Sequence, residues 1–241
     1  DVAVGTGGYV CYPVLKAASE LGVPTAVHES NAVPGLTTKM LEGSVDTIMV
    51  GFEESRVNYR HPDRVEVTGT PVRVDFLNPD KAAAKRELGI PEGRPLVVSV
   101  WGSLGAAHMN EIMTDFIVRA CAKPFFNLIH SAGKAGYSRM SAALEREKPD
   151  YARLGMDVRD YIYDMPRVMA AADLVLCRAG ASTLAELTAM GKPAILVPSP
   201  NVTNNHQERN ARVLEAAGGA RVMLEQDFTA DSLLGLVSEL L

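Results

Sequence analysis

Cysteine is scarce in this chain. Its 241 residues include only three, Cys11, Cys121 and Cys177. They are far apart and odd in number, which argues against both a zinc site and a disulfide framework and points to a reducing, cytosolic compartment. Basic residues are not in excess: 24 Lys and Arg stand against 29 Asp and Glu, a formal charge of −5. The basic positions are scattered, so there is no electrostatic footprint for DNA or RNA. No apolar run approaches the roughly 18 residues that a membrane span needs, and no signal peptide is recognisable. The opening residues DVAVGTGG lack an initiator Met and enter directly on a strand, so the segment is expected to be cut from something longer. Repeats and low-complexity tracts are missing. So are the GK[ST] ending of a Walker loop and the GxGxxG of a dinucleotide fold.

What is present is alternation. With 47% hydrophobic residues the chain can bury one large core or two modest ones. Short unbroken apolar runs, such as TAVHE (25–29), PLVVSV (95–100), DLVLC (173–177) and PAILVP (193–198), alternate with amphipathic stretches of helical period. That pattern predicts parallel sheets covered on both faces, an α/β protein of two Rossmann-like units. The Pro-bracketed stretch 71–79 is the best linker, so we divide the chain into 1–72 and 73–241.

Ligands of such sheets bind at the carboxyl ends of the strands, and five strand ends here carry glycine, hydroxyl and amide clusters. GTGGY (5–9) offers Gly5, Gly7 and Gly8. HESNAVPG (28–35) brings His28, Glu29 and Asn31. WGSLG (101–105) holds Gly102, Ser103 and Gly105, and RAGAST (178–183) holds Gly180, Ser182 and Thr183. SPNVTNNHQERN (199–210) places Gln207 and Asn210 on one helical face. Few full charges occur among them, a composition suited to phosphate and sugar recognition by backbone donors and amides. No His, Cys or Asp pair has metal-ligand spacing. In CRAGASTLAE (177–186) a strand runs into a helix whose first N–H groups attract anions. A diphosphate held there, with Glu186 on ribose hydroxyls, is one reading. A ligand-free capping box, Thr183 with Glu186 three residues later, is the other. Gln207 and Asn210 read equally as solvated polar residues, His28 as a hydrogen-bonded structural residue, and Arg73 in TPVR (70–73) as a surface side chain or a diphosphate clamp at the hinge.

In order and near-spacing, VGTGGYVCYP, VHESNAVPGLTTKML, VTGTPVR, GSLGA, RAGASTLAE and NHQERNA resemble the MurG family of glycosyltransferases. The likeness runs over nearly the whole chain. It implies a GT-B fold, two Rossmann-like domains with parallel sheets facing a cleft, the first domain incomplete. Residues 1–72 would be the C-terminal part of the acceptor domain and 73–241 the UDP-sugar domain. It implies transfer of N-acetylglucosamine from UDP-N-acetylglucosamine to the undecaprenyl-diphosphate-linked muramyl-pentapeptide of peptidoglycan synthesis. The setting would be peripheral, on the cytoplasmic face of the cell membrane, with no cofactor, metal or nucleic acid. By position, the resemblance assigns Arg73 and Ser103 to the diphosphate or nucleotide, the backbone of Ile162 to uracil, and the run Ala181, Ser182, Thr183, Leu184, Ala185 to the diphosphate. Glu186 falls on ribose, Gln207 and Asn210 on sugar hydroxyls, Asn31 on the donor sugar from the facing domain, and His28 and Glu29 at the acceptor site.

Departures from the family pattern are visible too. Trp101 and Leu104 replace a small residue and a Gln, Ser30 a Gln, and Thr38 an Asn; Trp101 is expected to crowd the nucleotide pocket. The family's N-terminal glycine-rich loop, which carries the His usually proposed as base, and its C-terminal helix have no counterpart here. The stretch is therefore expected to bind donor but turn over poorly, with an unpaired edge on its first sheet. Two further readings stay open: another enzyme of this architecture, either a glycolipid transferase or an epimerase, though an epimerase's extra acid/base groups are not apparent; or a non-catalytic nucleotide-sugar-binding module.

Overall fold

The computed structural model describes residues 1–102, 107–148 and 150–241. Its first unit contains β1 (Ala3–Gly5), α1 (Cys11–Glu20), β2 (Thr25–Glu29), α2 (Leu36–Leu41), β3 (Thr47–Val50) and β4 (Val65–Val67). The four strands form one parallel sheet in the order β1-β2-β3-β4. Its core is small, with Leu15 of α1 and Leu41 of α2 closing on Val27, Ile48, Val50 and Val65. β1 has β2 as its one neighbour among the described residues, and Val2 and Val4 lie exposed along it. This is the unpaired edge expected from the sequence.

The second unit runs α3 (Lys81–Glu87), β5 (Leu96–Val100), α4 (Ala107–Ala120), β6 (Asn127–Ser131), α5 (Lys134–Glu147), β7 (Met156–Arg159) and α6 (Met165–Ala171). It continues with β8 (Leu174–Cys177), α7 (Ala181–Ala189), β9 (Ala194–Leu196), α8 (His206–Ala216), β10 (Ala220–Val222) and α9 (Ala230–Leu240). All six strands are parallel, in the order β10-β9-β8-β5-β6-β7. Successive strand residues alternate between two cores, as the period of two requires. Val97, Leu128, Leu174 and Leu176 meet α4, α5 and α9 through Met113, Phe116, Leu144 and Leu233. Leu96, Val98, Ile129 and Val175 meet α3, α6, α7 and α8 through Ala84, Met169, Leu187 and Leu214. Both faces being covered explains why these strands read as unbroken apolar runs.

Two features differ from the sequence expectation. Between β3 and β4 the chain makes 3₁₀ turns at Glu53–Asn58 and Pro62–Arg64, which have no apolar period to announce them. And α7 begins at Ala181, two residues before the hydroxyl that the capping-box reading makes its cap, with Gly180 as N-cap and no side-chain cap. The linker is docked rather than loose, since Phe76 is fully buried in the second unit's core and Phe52 packs against it from the first.

Candidate functional site

After β5 the chain turns to β6 on one side, and after β7 it crosses back to β8 on the other. The strand order therefore reverses between β5 and β8, and such a switch point opens a crevice at the carboxyl ends of the strands. Residues following both strands line a cavity of about 660 Å³ there. Gly102, with a φ of +95° that favours glycine, follows β5. Gly180, Thr183 and Glu186, spaced to share one face of α7, follow β8. Tyr161, Ile162, Met165 and Met169 form an apolar wall beyond β7, and Ser199, Asn201 and Gln207 close the β9–α8 side.

Because no side chain caps α7, the capping-box alternative fails: Thr183 sits inside the first turn, and Glu186 faces the cavity. The amide groups opening α7 lie at the positive end of its dipole. Partial burial raises the pKa of Glu186, and the Arg73 charge partly offsets this. Arg73 is itself exposed at the head of the linker, its guanidinium 5.2 Å from the centre of the Phe76 ring. Gln207 accepts the Ser199 N–H at 2.9 Å, which orients its carboxamide, and the amide nitrogen has no partner among the described residues. Ile162 packs in the core with only 2% of its surface exposed and meets the cavity from beneath. The Cys177 thiol, raised to about 12 by burial and then by Glu186, is not a nucleophile.

Several expected site residues are placed elsewhere. Helical geometry turns Ala181, Leu184 and Ala185 away from this cavity toward a smaller groove of about 440 Å³, shared with Gly51, Gly69, Thr70 and Val72 of the first unit and hinge. Of these three, Leu184 is almost fully buried, so it cannot meet a ligand through its side chain. Ser182 is exposed and lines neither cavity. Glu29, expected at an acceptor site, is only 6% exposed. It accepts from Asn31 N and Nδ2 at 3.0 and 3.1 Å, Gly35 N at 2.8 Å and Thr38 Oγ1 at 3.0 Å. A carboxylate so occupied shapes its loop and is not a free base. Its neighbour His28 is buried and bonds through Nε2 to the Gly69 carbonyl at 2.9 Å, tying β2 to the hinge.

Asn210 is fully buried, so the sugar-reading role expected of it finds no open face. Asn31 is bonded to it. Gly7 and Gly8 adopt left-handed turns (φ +89° and +79°), and Gly5 leaves room for Leu15, whose Cδ1 an added Cβ would meet at 2.7 Å. These three glycines serve the β1–α1 turn, away from the cavity. Ser103 and Gly105 lie outside the described residues, as does Leu104.

Arg178 and Glu225 went unremarked in the sequence reading. Arg178 bonds the Val197 and Pro198 carbonyls at 3.1 and 3.2 Å and pairs with Glu225 at 2.6 Å, bracing β8 against β9 beside the cavity. Trp101 is 4% exposed and packs edge-on against Phe228 at 5.4 Å, with Arg178 5.9 Å from its ring. It lines the floor of the cavity as part of the core beneath it and does not fill the space. A charged residue just after an unbroken apolar strand was the available signal for Arg178. Among the described residues, no group of three His, Cys, Asp or Glu side chains gathers as a metal site.

A crevice at the switch point of one parallel sheet, hinged to a second parallel sheet, is the architecture of the GT-B fold class. The chain belongs to glycosyltransferase family 28. Residues 96–241 match the family's C-terminal domain and residues 1–50 its N-terminal domain. It is 44% identical over 241 residues to the UDP-N-acetylglucosamine--N-acetylmuramyl-(pentapeptide) pyrophosphoryl-undecaprenol N-acetylglucosamine transferase of Acetivibrio thermocellus, covering 100% of this chain and 64% of that protein. It is 43% identical to the protein of the same name from Ruminiclostridium cellulolyticum, covering 100% and 65%. The crystal structure of Acinetobacter baumannii MurG superposes with a TM-score of 0.76 at 28% identity, covering 100% of this chain and 64% of that one. A UDP-GlcNAc 2-epimerase from Neisseria meningitidis, solved with UDP-GlcNAc bound, shares the fold at 13% identity and a TM-score of 0.62, covering 99% and 67%. The chain thus spans just under two thirds of the curated relatives' length.

Proposed function

We propose that the chain carries the donor site, and the adjoining part of the acceptor site, of an inverting hexosyltransferase. The reaction moves N-acetylglucosamine from UDP-N-acetylglucosamine to the muramyl 4-hydroxyl of undecaprenyl-diphosphate-linked muramyl-pentapeptide, a step in building peptidoglycan. Residues 73–241 act as the UDP-sugar domain and residues 1–72 as the C-terminal part of the acceptor domain. The observation that carries this reading is the convergence of Gly102, Ile162, Gly180, Thr183, Glu186 and Gln207 on one cavity; the names of the relatives supply the substrates.

In the reaction, the acceptor 4-hydroxyl attacks the anomeric carbon and forms the new C–O bond on the opposite face. The bond to the diphosphate breaks, its electron pair leaves with UDP, and the hydroxyl proton passes to a base. Negative charge grows on the diphosphate, where the N-terminus of α7 and Arg73 stabilise it. The Glu186 carboxylate accepts from the ribose hydroxyls, and the Gln207 amide donates to the sugar. The acceptor is a lipid, and among the described residues no helix is long and apolar enough to cross a membrane. We infer attachment at the cytoplasmic membrane surface through the substrate, from the cytoplasmic side.

Titration calorimetry with UDP-N-acetylglucosamine and UDP-glucose tests the donor site. Tighter binding of the first, lost in Glu186→Ala and Gln207→Ala, is the expected result; no binding of either by the folded chain would end the proposal. One observation favours a second reading, donor binding without transfer: Glu29 is occupied by four donors, and neither it nor His28 lines the donor cavity. A radiolabelled transfer assay on the same chain separates the two.

A further inference from the structure

Asn210 lies one helical turn after Gln207 in α8 and carries no exposed surface. Its Oδ1 accepts the Ala32 N–H at 2.8 Å, and its Nδ2 donates to Asn31 Oδ1 at 3.0 Å and to the Ala179 carbonyl at 3.4 Å. Ala32 is 178 positions away in the chain, across the cleft. One carboxamide therefore joins three segments: the β2–α2 loop of the first unit, the residue before the Gly180 N-cap, and the helix that bears Gln207. Its orientation follows from its partners, since a flip would set a carbonyl against two acceptors and the amide against an N–H. The chain of bonds continues: Asn31 gives its own amide and Nδ2 to Glu29, which also holds Gly35 and Thr38 at the start of α2.

From this geometry we propose that Asn210 is a positioning residue that does not touch the donor. It latches the first unit onto the nucleotide unit, fixing the closure of the cleft and the orientation of Asn31. The latch rests on these hydrogen bonds alone; its consequence for donor sugar rests on the reading of the cavity given above.

The test uses the full chain with Cys11→Ser, the half-buried thiol, and spin labels at the exposed helix positions Ala17 in the first unit and Ser138 in the second. Asn210→Asp keeps size and the acceptor for Ala32 but sets a carboxylate against two oxygens; Asn31→Ala removes the partner from the opposite side. In both, the label-to-label distance distribution should broaden and shift outward without ligand. Affinity for UDP alone should hold within about threefold, while affinity for UDP-N-acetylglucosamine falls roughly tenfold, as expected when the competent closed state becomes a minor population. Unchanged distances in both variants would overturn the latch. So would a loss of UDP-sugar affinity in Asn210→Asp matching Gln207→Ala with the distances intact, which would make Asn210 a direct reader. If Asn210→Asp does not fold, Asn31→Ala decides. If the parent chain binds no nucleotide, the cavity reading fails and the distance arm still decides the latch.

Discussion

Two strand ends, one in each sheet, carry clusters of similar small polar residues and use them in opposite ways. After β2, the polar groups of 29–38 are matched to one another: Glu29 takes four donors, and Asn31 faces Asn210. After β8, Gly180 caps α7 without a side chain, and Thr183 and Glu186 face an open cavity. A buried polar cluster satisfied from within gains rigidity and has little left for a ligand. One left open at a helix start keeps its donors available. Removing a residue from the first cluster should therefore damage the fold, whereas removing one from the second should damage binding.

Among the substitutions, the largest loss of stability is expected at Glu29. Glu29→Ala strands two half-buried main-chain N–H groups, a carboxamide and the buried Thr38 hydroxyl, and should cost about 3 kcal/mol. A urea midpoint shifted by that amount at constant m-value is the expected measurement. A loss of donor affinity with stability intact would break the contrast.

The same logic applies to a matched cluster in the second unit. His130 is fully buried, with Nδ1 3.0 Å from Ser99 Oγ and Nε2 3.2 Å from Asn110 Oδ1. Asn110 donates its Nδ2 to the Ala132 carbonyl, so its Oδ1 must accept the Nε2 proton and Nδ1 accepts from Ser99. Burial lowers the His130 pKa from 6.5 to about 3. Below 6.5 the unfolded chain takes up a proton that the folded chain refuses. This contribution is thus complete above 6.5 and declines as pH falls toward 3, by ~1.4 kcal/mol per pH unit. Urea unfolding at a series of pH values should show the slope, and His130→Asn should flatten it.

Glu186 tests the open cluster. Glu186→Ala removes no cap and should leave the urea midpoint within ~0.5 kcal/mol while lowering UDP affinity about tenfold or more. Its raised pKa adds a sign: acidification protonates this carboxyl before ordinary ones, so affinity should fall on the acid side at a pH above the usual carboxylate range. A midpoint loss without an affinity loss would return Glu186 to a structural role.

These contrasts also mark what was legible in advance. The strands and helices were, because covered parallel strands leave unbroken apolar runs and their helices keep a 3.6-residue period. Of the strand-end loops, those after β5, β8 and β9 line one cavity, whereas those after β1 and β2 do not. The roles of Glu29 and Asn210 were not, because polar residue types do not reveal whether their partners are water, ligand or protein. Asn210 finds its partner 178 positions away, a distance that no local pattern encodes. The start of α7 stayed open between two readings for a related reason: a glycine cap leaves no side-chain signature, and the hydroxyl of Thr183 offered a competing one.

The smallest effect is expected at Trp101, where the two kinds of environment meet. The indole lies in the core under the cavity, and its Nε1 has no hydrogen-bond partner among the described residues. Trp101→Phe therefore loses no hydrogen bond, keeps an aromatic contact with Phe228, and weakens the Arg178 contact. The sum should be ~1 kcal/mol or less in stability, with UDP affinity unchanged. Arg178 is held independently by Glu225 and two carbonyls, so the cavity wall should stay in place. A fall in affinity in Trp101→Phe without a fall in stability would show that the indole N–H serves the ligand, moving this residue from the matched class to the open one.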